Sequence, residues 1–450
     1  MSPPIRFRLY QSLTVFFSRI FDQRLIRSPR LKLELSSCPV NRPLVGSEDV
    51  RPISDQVEQT SMRRPIWIHA ASAGELEGIQ TVVLELARIG QPIFLTVFSP
   101  SATRGFLKLK ERLEEMGQWF GGGLSPSEGS WLSAFKVVEP RFFITVKYEA
   151  WPEQWASAAL CGVPVYIVGA KARRSLRIAS WFLTRVLDLA RPQIHMLTLS
   201  EADRLSLLSW RWDNSHVYLV KDPRWDQVNT APLPSRFSQD RSTLILQAVS
   251  VLNLPRPWGM LGNSWVSDYR KLPSLSCPGV LGSTLWVIPH QVQGYEVAEQ
   301  VRILQAAGWR VLRTSQWKSG EAVQFTGDPV ASKPVCIFVD ELGVLKSLYR
   351  EADFVYVGGG FGRGIHSVIE PTVGGAPILI GPKGSDDFVE VRDLISSGDL
   401  RVIGIDSELL QVCRQAEQWS EELRTKGDAA GRLAARTGGT IDVLSVLFGA

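Results

Sequence analysis

The sequence predicts an α/β protein built from two Rossmann-like domains, and three observations lead there. Short apolar runs alternate with segments of helical period, the alternation occurs in two rounds, and a proline-rich polar stretch separates the rounds. The first round reads PIWIHAA, IQTVVLELARI, PIFLTVF, RFFITVKYE, VPVYIVGA and IHMLTLS. Apolar runs this short, spaced by helices, favour a parallel sheet. The second round reads TLWVIPH, EVAEQVRILQAAG, WRVLRT, VCIFVD, LGVLKSLYREA, DFVYVGGG and APILIGP. Between them lies KDPRWDQVNTAPLPSRF, residues 221–237. The expected domains are therefore 65–220 and 241–450 with a hinge at 221–240, and the charged helical pattern from about residue 407 is expected to pack across both. Domains of this class bind ligands outside the carboxyl ends of their strands, here in a cleft between the two, which singles out the loops after IWIHA and DFVYV.

At 450 residues, 44% hydrophobic and 21% charged, the composition is that of a globular protein and excludes disordered and fibrous classes. The five cysteines (Cys38, Cys161, Cys277, Cys336 and Cys413) form no CxxC pair and are odd in number, which argues against a disulfide framework or a zinc cluster. A net charge of +5 is too small to point to nucleic acid. The excess is concentrated at the start: Arg6, Arg8, Arg19, Arg24, Arg27, Arg30 and Lys32 face only Asp22 within the first 32 residues. Tyr10, Leu13, Phe17, Ile20 and Phe21 recur there at helical spacing, so residues 1–34 read as a basic amphipathic helix and 35–64 as a linker. Its longest apolar run, LTVFF, is far short of the roughly 20 residues a spanning helix needs. Such a helix suits contact with an anionic membrane surface, the alternative being packing on the body of the protein.

The stretch GGGFGRGIHSVIEP, residues 358–371, follows a predicted strand. It matches neither the GxGxxG nor the Walker A spacing, but glycines let backbone N–H groups approach a phosphate, and the pattern from Ile365, His366 and Ser367 predicts a helix with Glu370 one turn on. Glu370 can accept hydrogen bonds from a ribose diol, a combination that suits a nucleotide-sugar; alternatively the glycines permit tight packing and Glu370 caps the helix. In the first round, WIHAASAGELEG puts Glu75 at the start of a helix, as a general base or as an ordinary first-turn acid. Lys147, Tyr148 and Glu149 follow the strand FFITV, Lys171 lies in GAKARR after VPVYIV, and His290 ends LWVIPH; each can line a ligand site or remain solvated surface charge.

Taken in order, IWIHAASAGE, YEAWPEQ, GVPVYIVGAKARRS, SEADRLSLL, KDPRWDQV, GNSWVSD, VIPHQ, LGVLKSLYREADFVYVGGGFGRGIHSVIEP and ILIGPKGSDDF resemble the 3-deoxy-D-manno-octulosonic acid (Kdo) transferases, GT-B enzymes of lipopolysaccharide assembly, over residues 65–405. The forms FGRGIHSVIE, VKYEAW and VIPH look closer to a Bacteroidetes-type branch of the family than to the enterobacterial one. The resemblance implies an inverting, metal-independent transfer of Kdo from CMP-Kdo to a lipid A precursor. The enzyme would lie at the cytoplasmic face of the inner membrane, with no cofactor and no nucleic-acid partner. It implies Glu75 as general base, Ser72, Lys147, Glu149 and Lys171 at the acceptor or sugar, and His290, Gly343, Gly364, His366, Ser367 and Glu370 at the CMP. The chain departs from the pattern at residues 289–291, which read PHQ where much of the family has PRH. It also reads LGVL at 342–345 for the common MGEL, with Ser367 for Asn and Lys171 for Arg. His290 would then replace a phosphate-binding arginine. The competing readings are a nucleotide-sugar epimerase of the same fold and a non-catalytic homologue that binds lipid or a partner.

Overall fold

The computed structural model describes residues 64–126, 129–147, 150–182, 194–229, 241–317, 333–385, 388–425 and 428–449. The predicted N-terminal helix at 1–34, the linker up to residue 63, residues 230–240 of the hinge, and Tyr148 and Glu149 lie outside these. Two compact units emerge, one ending at Gln227 and rejoined by the chain at Thr437, the other spanning Val228–Arg436.

The first unit is a seven-stranded, wholly parallel sheet of β1 (Ile66–Ala70), β2 (Ile93–Val97), β3 (Trp119–Leu124), β4 (Phe142–Val146), β5 (Val165–Val168), β6 (Ile194–Thr198) and β7 (Val217–Leu219), in the order β3-β2-β1-β4-β5-β6-β7. Its central strands are buried along their whole length and mostly apolar, because both faces are covered. Successive side chains alternate between two cores. Ile66, Ile68 and Ala70 pack with Ile79, Val83 and Leu86 of the helix Ala73–Arg88. Trp67 points the other way, stacked on Trp131 at 5.5 Å and edge-on to Phe94 and Phe143. Its indole N–H donates to Thr96 Oγ1 at 2.9 Å, so the one polar atom of this large buried ring is satisfied.

The last helix, Gly439–Phe448, belongs to the first unit, where Val443 and Leu447 join the core around Ile66 and Ile68. Asp226 fastens its start by accepting from the backbone N–H groups of Gly438 and Thr440, both at 2.6 Å. Asp442 in turn accepts from the N–H of Lys221 at 2.9 Å. Residues 221–227, read from the sequence as hinge, and 437–449, read as second domain, thus fold with the first unit. The backbones approach closely enough that a Cβ on Gly439 would lie 2.5 Å from Lys221 O.

The second unit repeats the architecture with β8 (Trp258–Ser264), β9 (Thr284–Pro289), β10 (Arg310–Arg313), β11 (Val335–Phe338), β12 (Phe354–Val357), β13 (Ile378–Ile380) and β14 (Leu400–Val402), all parallel, in the order β10-β11-β9-β8-β12-β13-β14. In doubly wound sheets the ligand crevice opens where the strand order reverses. That point falls between β1 and β4 in the first unit and between β8 and β12 in the second.

Candidate active site

At the β1/β4 reversal, β1 ends at Ala70 and the Ala73–Arg88 helix begins three residues later. Glu75 turns back over its own N-terminus, and its Oε2 accepts from the backbone N–H groups of Ala71 at 2.8 Å and Ser72 at 3.1 Å. Glu75 is therefore more than an ordinary first-turn acid: it caps its own helix, and it is only 8% exposed. That burial pushes its pKa above the ordinary carboxylate value, while the two backbone donors, the Lys147 ammonium and Ser72 pull it back. A carboxylate held in one rotamer with a raised pKa meets two requirements of a general base.

Lys147 follows β4 in the left-handed region, φ +57°, a conformation that costs a non-glycine residue on the order of 1–2 kcal/mol. Its N–H donates to Val168 O at 2.8 Å, and with Gly78, Gly169, Asp222 and Arg224 it lines a narrow crevice at the sheet's carboxyl end. Such strain at a strand end marks functional positions. Ser72, Glu75 and Lys147 are thus brought to adjacent strand ends, whereas Lys171 sits in the turn after β5. The loop after β2 escaped the sequence reading. Ser99 N–H donates to Ala71 O at 2.7 Å, and Ser101 Oγ accepts from Ala73 N–H at 3.4 Å, bracing the turn that aims Glu75. The signal was there: FSPSA follows the strand IFLTV at the same sheet end.

At the β8/β12 reversal the glycines have a packing cause. A Cβ on Gly358 would lie 2.4 Å from Asn263 O, and one on Gly360 2.4 Å from Gly381 Cα, so no larger residue fits. Gly359 and Gly364 take φ +96° and +113°, open to glycine alone in practice. Gly359 N–H donates to the buried Asp268 carboxylate at 3.0 Å, and Asp268 also accepts from Trp265 N–H at 3.0 Å, tying the two loops together.

The predicted helix from Ile365 does not form. Residues 364–369 run without regular structure, and only the short 3-10 turn Glu370–Gly374 follows. Pro371, which has no N–H to donate, and the Gly374–Gly375 pair, with Gly375 at φ +69°, leave too few residues for an α-helix. A helix N-terminus is therefore not what an anion would meet here. Glu370 opens the turn, half-buried and close enough to raise the Tyr349 hydroxyl pKa further above its burial-driven shift. Ser367 lies three residues before that turn begins, and Gly343, at φ +85°, is exposed on the loop after β11, from which β8 is separated by β9.

Three loops build an aromatic column. His290, just past β9, stacks on Trp265 at 4.5 Å and on His366 at 4.3 Å, and the Arg363 guanidinium lies over the Trp265 ring at 4.9 Å. Burial, then the neighbouring His290, lowers the His366 pKa to about 4; burial, then Arg363, lowers that of His290. Both imidazoles are neutral at neutral pH, so His290 does not replace a missing arginine as a charge. The cations are Arg363 and Lys383, whose ammonium donates to Gly362 O. Neither was singled out in the sequence, although an arginine flanked by glycines in FGRG was a visible signal.

Residues 47–227 match the family model of the 3-deoxy-D-manno-octulosonic-acid transferases. Two curated relatives carry that name: one from Bordetella pertussis, 25% identical over 355 residues (74% of this chain, 75% of the relative), and one from Aquifex aeolicus, 24% identical over 327 residues (70% and 76%). Residues 47–227 thus carry the sequence of a Kdo transferase domain. Among solved structures, the UDP-GlcNAc 2-epimerase of Neisseria meningitidis bound to UDP-GlcNAc aligns with TM-score 0.52 at 11% identity, covering 86% of this chain and all of that one. The Anabaena HepE protein in complex with UDP aligns with TM-score 0.52 at 13% identity, covering 85% and 97%. Likeness at that identity shows the fold alone, the GT-B arrangement of two doubly wound sheets. The family match spans the Glu75 turn, and the aligned relatives reach into the second unit.

Proposed function

We propose that this protein is a Kdo transferase that moves Kdo from CMP-Kdo to a hydroxyl of a lipid A precursor in lipopolysaccharide synthesis. The observation that carries the reading is Glu75, buried, fixed by two backbone N–H groups and raised in pKa at a strand-order reversal. The acceptor hydroxyl gives its proton to Glu75 as its oxygen attacks the anomeric carbon, and the bond to the CMP phosphate breaks. A single displacement of this kind inverts the anomeric centre. Lys147 favours ionised Glu75, and Ser72 fixes its turn. In the second unit the glycine loop, His366, Ser367 and Glu370 are assigned to the CMP. Charge on the departing phosphate is met by side-chain cations, so the reaction proceeds without a metal or cofactor.

The acceptor is a lipid, and the reading puts the enzyme at the cytoplasmic face of the inner membrane. Among the described residues no helix is long and apolar enough to cross a membrane. Peripheral attachment is supported by the basic N-terminal segment. It is also supported by a groove lined by Trp151, Pro152, Ile178 and Phe182, where Trp151, Ile178 and Trp181 are each more than half exposed beside the exposed Arg173, Arg174 and Arg177. Tryptophan with arginine is the composition of membrane interfaces. A binding comparison tests the donor: the protein takes up CMP in preference to UMP, and flotation with anionic vesicles carries it to the lipid fraction. Preference for UMP, or indifference to anionic lipid, would refute the corresponding part.

A further inference from the structure

The family resemblance leaves the second unit without its usual arginine at the end of β9, where the sequence reads PHQ. A phosphoryl group needs a cation there, and both stacked histidines are held neutral. The structure shows where a cation is. Arg363 rides on the glycine loop between Gly362 and Gly364, its guanidinium 4.9 Å from the Trp265 ring and near enough to His290 to act on its charge. Among the described residues no carboxylate pairs with it. The acids around the column are engaged elsewhere: Asp268 accepts from Gly359 and Trp265, and Glu296 accepts from Val266 N–H at 3.0 Å. Lys383, from the loop after β13, adds a second positive charge at Gly362. His366 Nε2, at the far end of the column from Arg363, is buried with no hydrogen-bond partner.

Resting on the CMP-sugar reading above, we infer that Arg363, held against Trp265, is the residue that binds the phosphoryl group of the donor, standing in from the β12 loop for the arginine absent at the end of β9. A guanidinium keeps its charge across the whole physiological range and can grip two phosphate oxygens at once. Stacking on an indole holds it in place without a carboxylate partner that a phosphate would have to displace. The unpartnered His366 Nε2 supplies a neutral hydrogen-bonding group of the same cluster.

Calorimetric titration of the full-length protein tests this with four probes: CMP, cytidine, UMP and free Kdo. Arg363→Gln is expected to weaken CMP about 10–100-fold while cytidine, which lacks the phosphate, and Kdo, which carries only a carboxylate, change less than about twofold. Arg363→Lys keeps part of the affinity and Trp265→Leu loses a smaller part, about threefold. Wild-type affinity for CMP stays within about threefold between pH 7 and pH 9, because the phosphate is already dianionic and an arginine does not titrate there. Equal CMP affinity in wild type and Arg363→Gln overturns the assignment, as does a steep loss of wild-type affinity above pH 7, which would mean a titrating cation. If the wild type prefers UMP, the donor reading fails and Arg363 is judged by its effect on UMP. If none of the probes binds, both fall.

Discussion

The two units place their chemistry at the same topological point, yet they fix it by different means. In the first, a four-turn helix starts at once after β1, and its own N-terminus captures the Glu75 carboxylate through Ala71 and Ser72. In the second, no helix forms after the glycine loop: Gly358 lies against Asn263 and Gly360 against Gly381, and the side chains of the loops are set by stacking across three loops. The difference teaches that an acid can be aimed by local helix-cap chemistry, whereas the loops proposed to hold the phosphate are positioned by tertiary contacts. The helix that the sequence pattern promised after the glycine loop, with its dipole, is absent.

The largest expected effect breaks the first half of that comparison. Glu75→Gln removes the base but keeps an oxygen able to accept from Ala71 and Ser72, so initial rates of transfer should fall about 10²–10⁴-fold with little change in CMP affinity or melting temperature. An unchanged rate would leave Glu75 only its cap. Next comes Gly360→Ala, whose methyl meets backbone atoms of Gly381 at 2.4 Å and cannot be relieved by a rotamer change. A cost of about 1–3 kcal/mol is expected, read as a Tm lower by several degrees and weaker CMP binding. Gly362→Ala is the control, since its methyl meets the rotatable Ser267 Oγ at 2.8 Å; a loss as large as that of Gly360→Ala would contradict the packing argument.

A subtler test sharpens the account of Glu75. Burial raises its pKa and Lys147 lowers it, so activity should rise with pH along a limb above the ordinary carboxylate range, since the base works only when ionised. Lys147→Met should move that limb to higher pH and depress the rate most at low pH, with recovery as pH rises. A uniform loss at every pH would give Lys147 a role other than electrostatic support. The smallest expected effect is none: dialysis against a chelator leaves the transfer rate unchanged if side-chain cations carry the departing charge.

Much of the fold was legible because parallel strands covered on both faces read as nearly continuous apolar runs, as in IWIHA, FFITV and FVYV. The strand-end rule then pointed to the two loops that carry Glu75 and Gly358–Glu370 without any knowledge of contacts. What stayed hidden was non-local. Asp226 meets Gly438 and Thr440 across more than 200 residues, and no local pattern announces that pairing. The column of Trp265, His290, Arg363 and His366 draws on three separate loops, so Arg363 was not singled out and His290 read as the substitute for the missing arginine. The helix expected after the glycine loop was a periodicity error: IHSVIE has helical spacing, but Pro371 and the following glycine pair cut it short.

The central claim is that these two half-sites serve transfer of an acidic sugar onto lipid. Its most direct measurement is the mass of a lipid A precursor after incubation with the protein and CMP-Kdo. A gain equal to one or more Kdo residues, absent with Glu75→Gln, is the predicted result. A lipid of unchanged mass with the wild-type protein, whether or not CMP-Kdo is consumed, would contradict it.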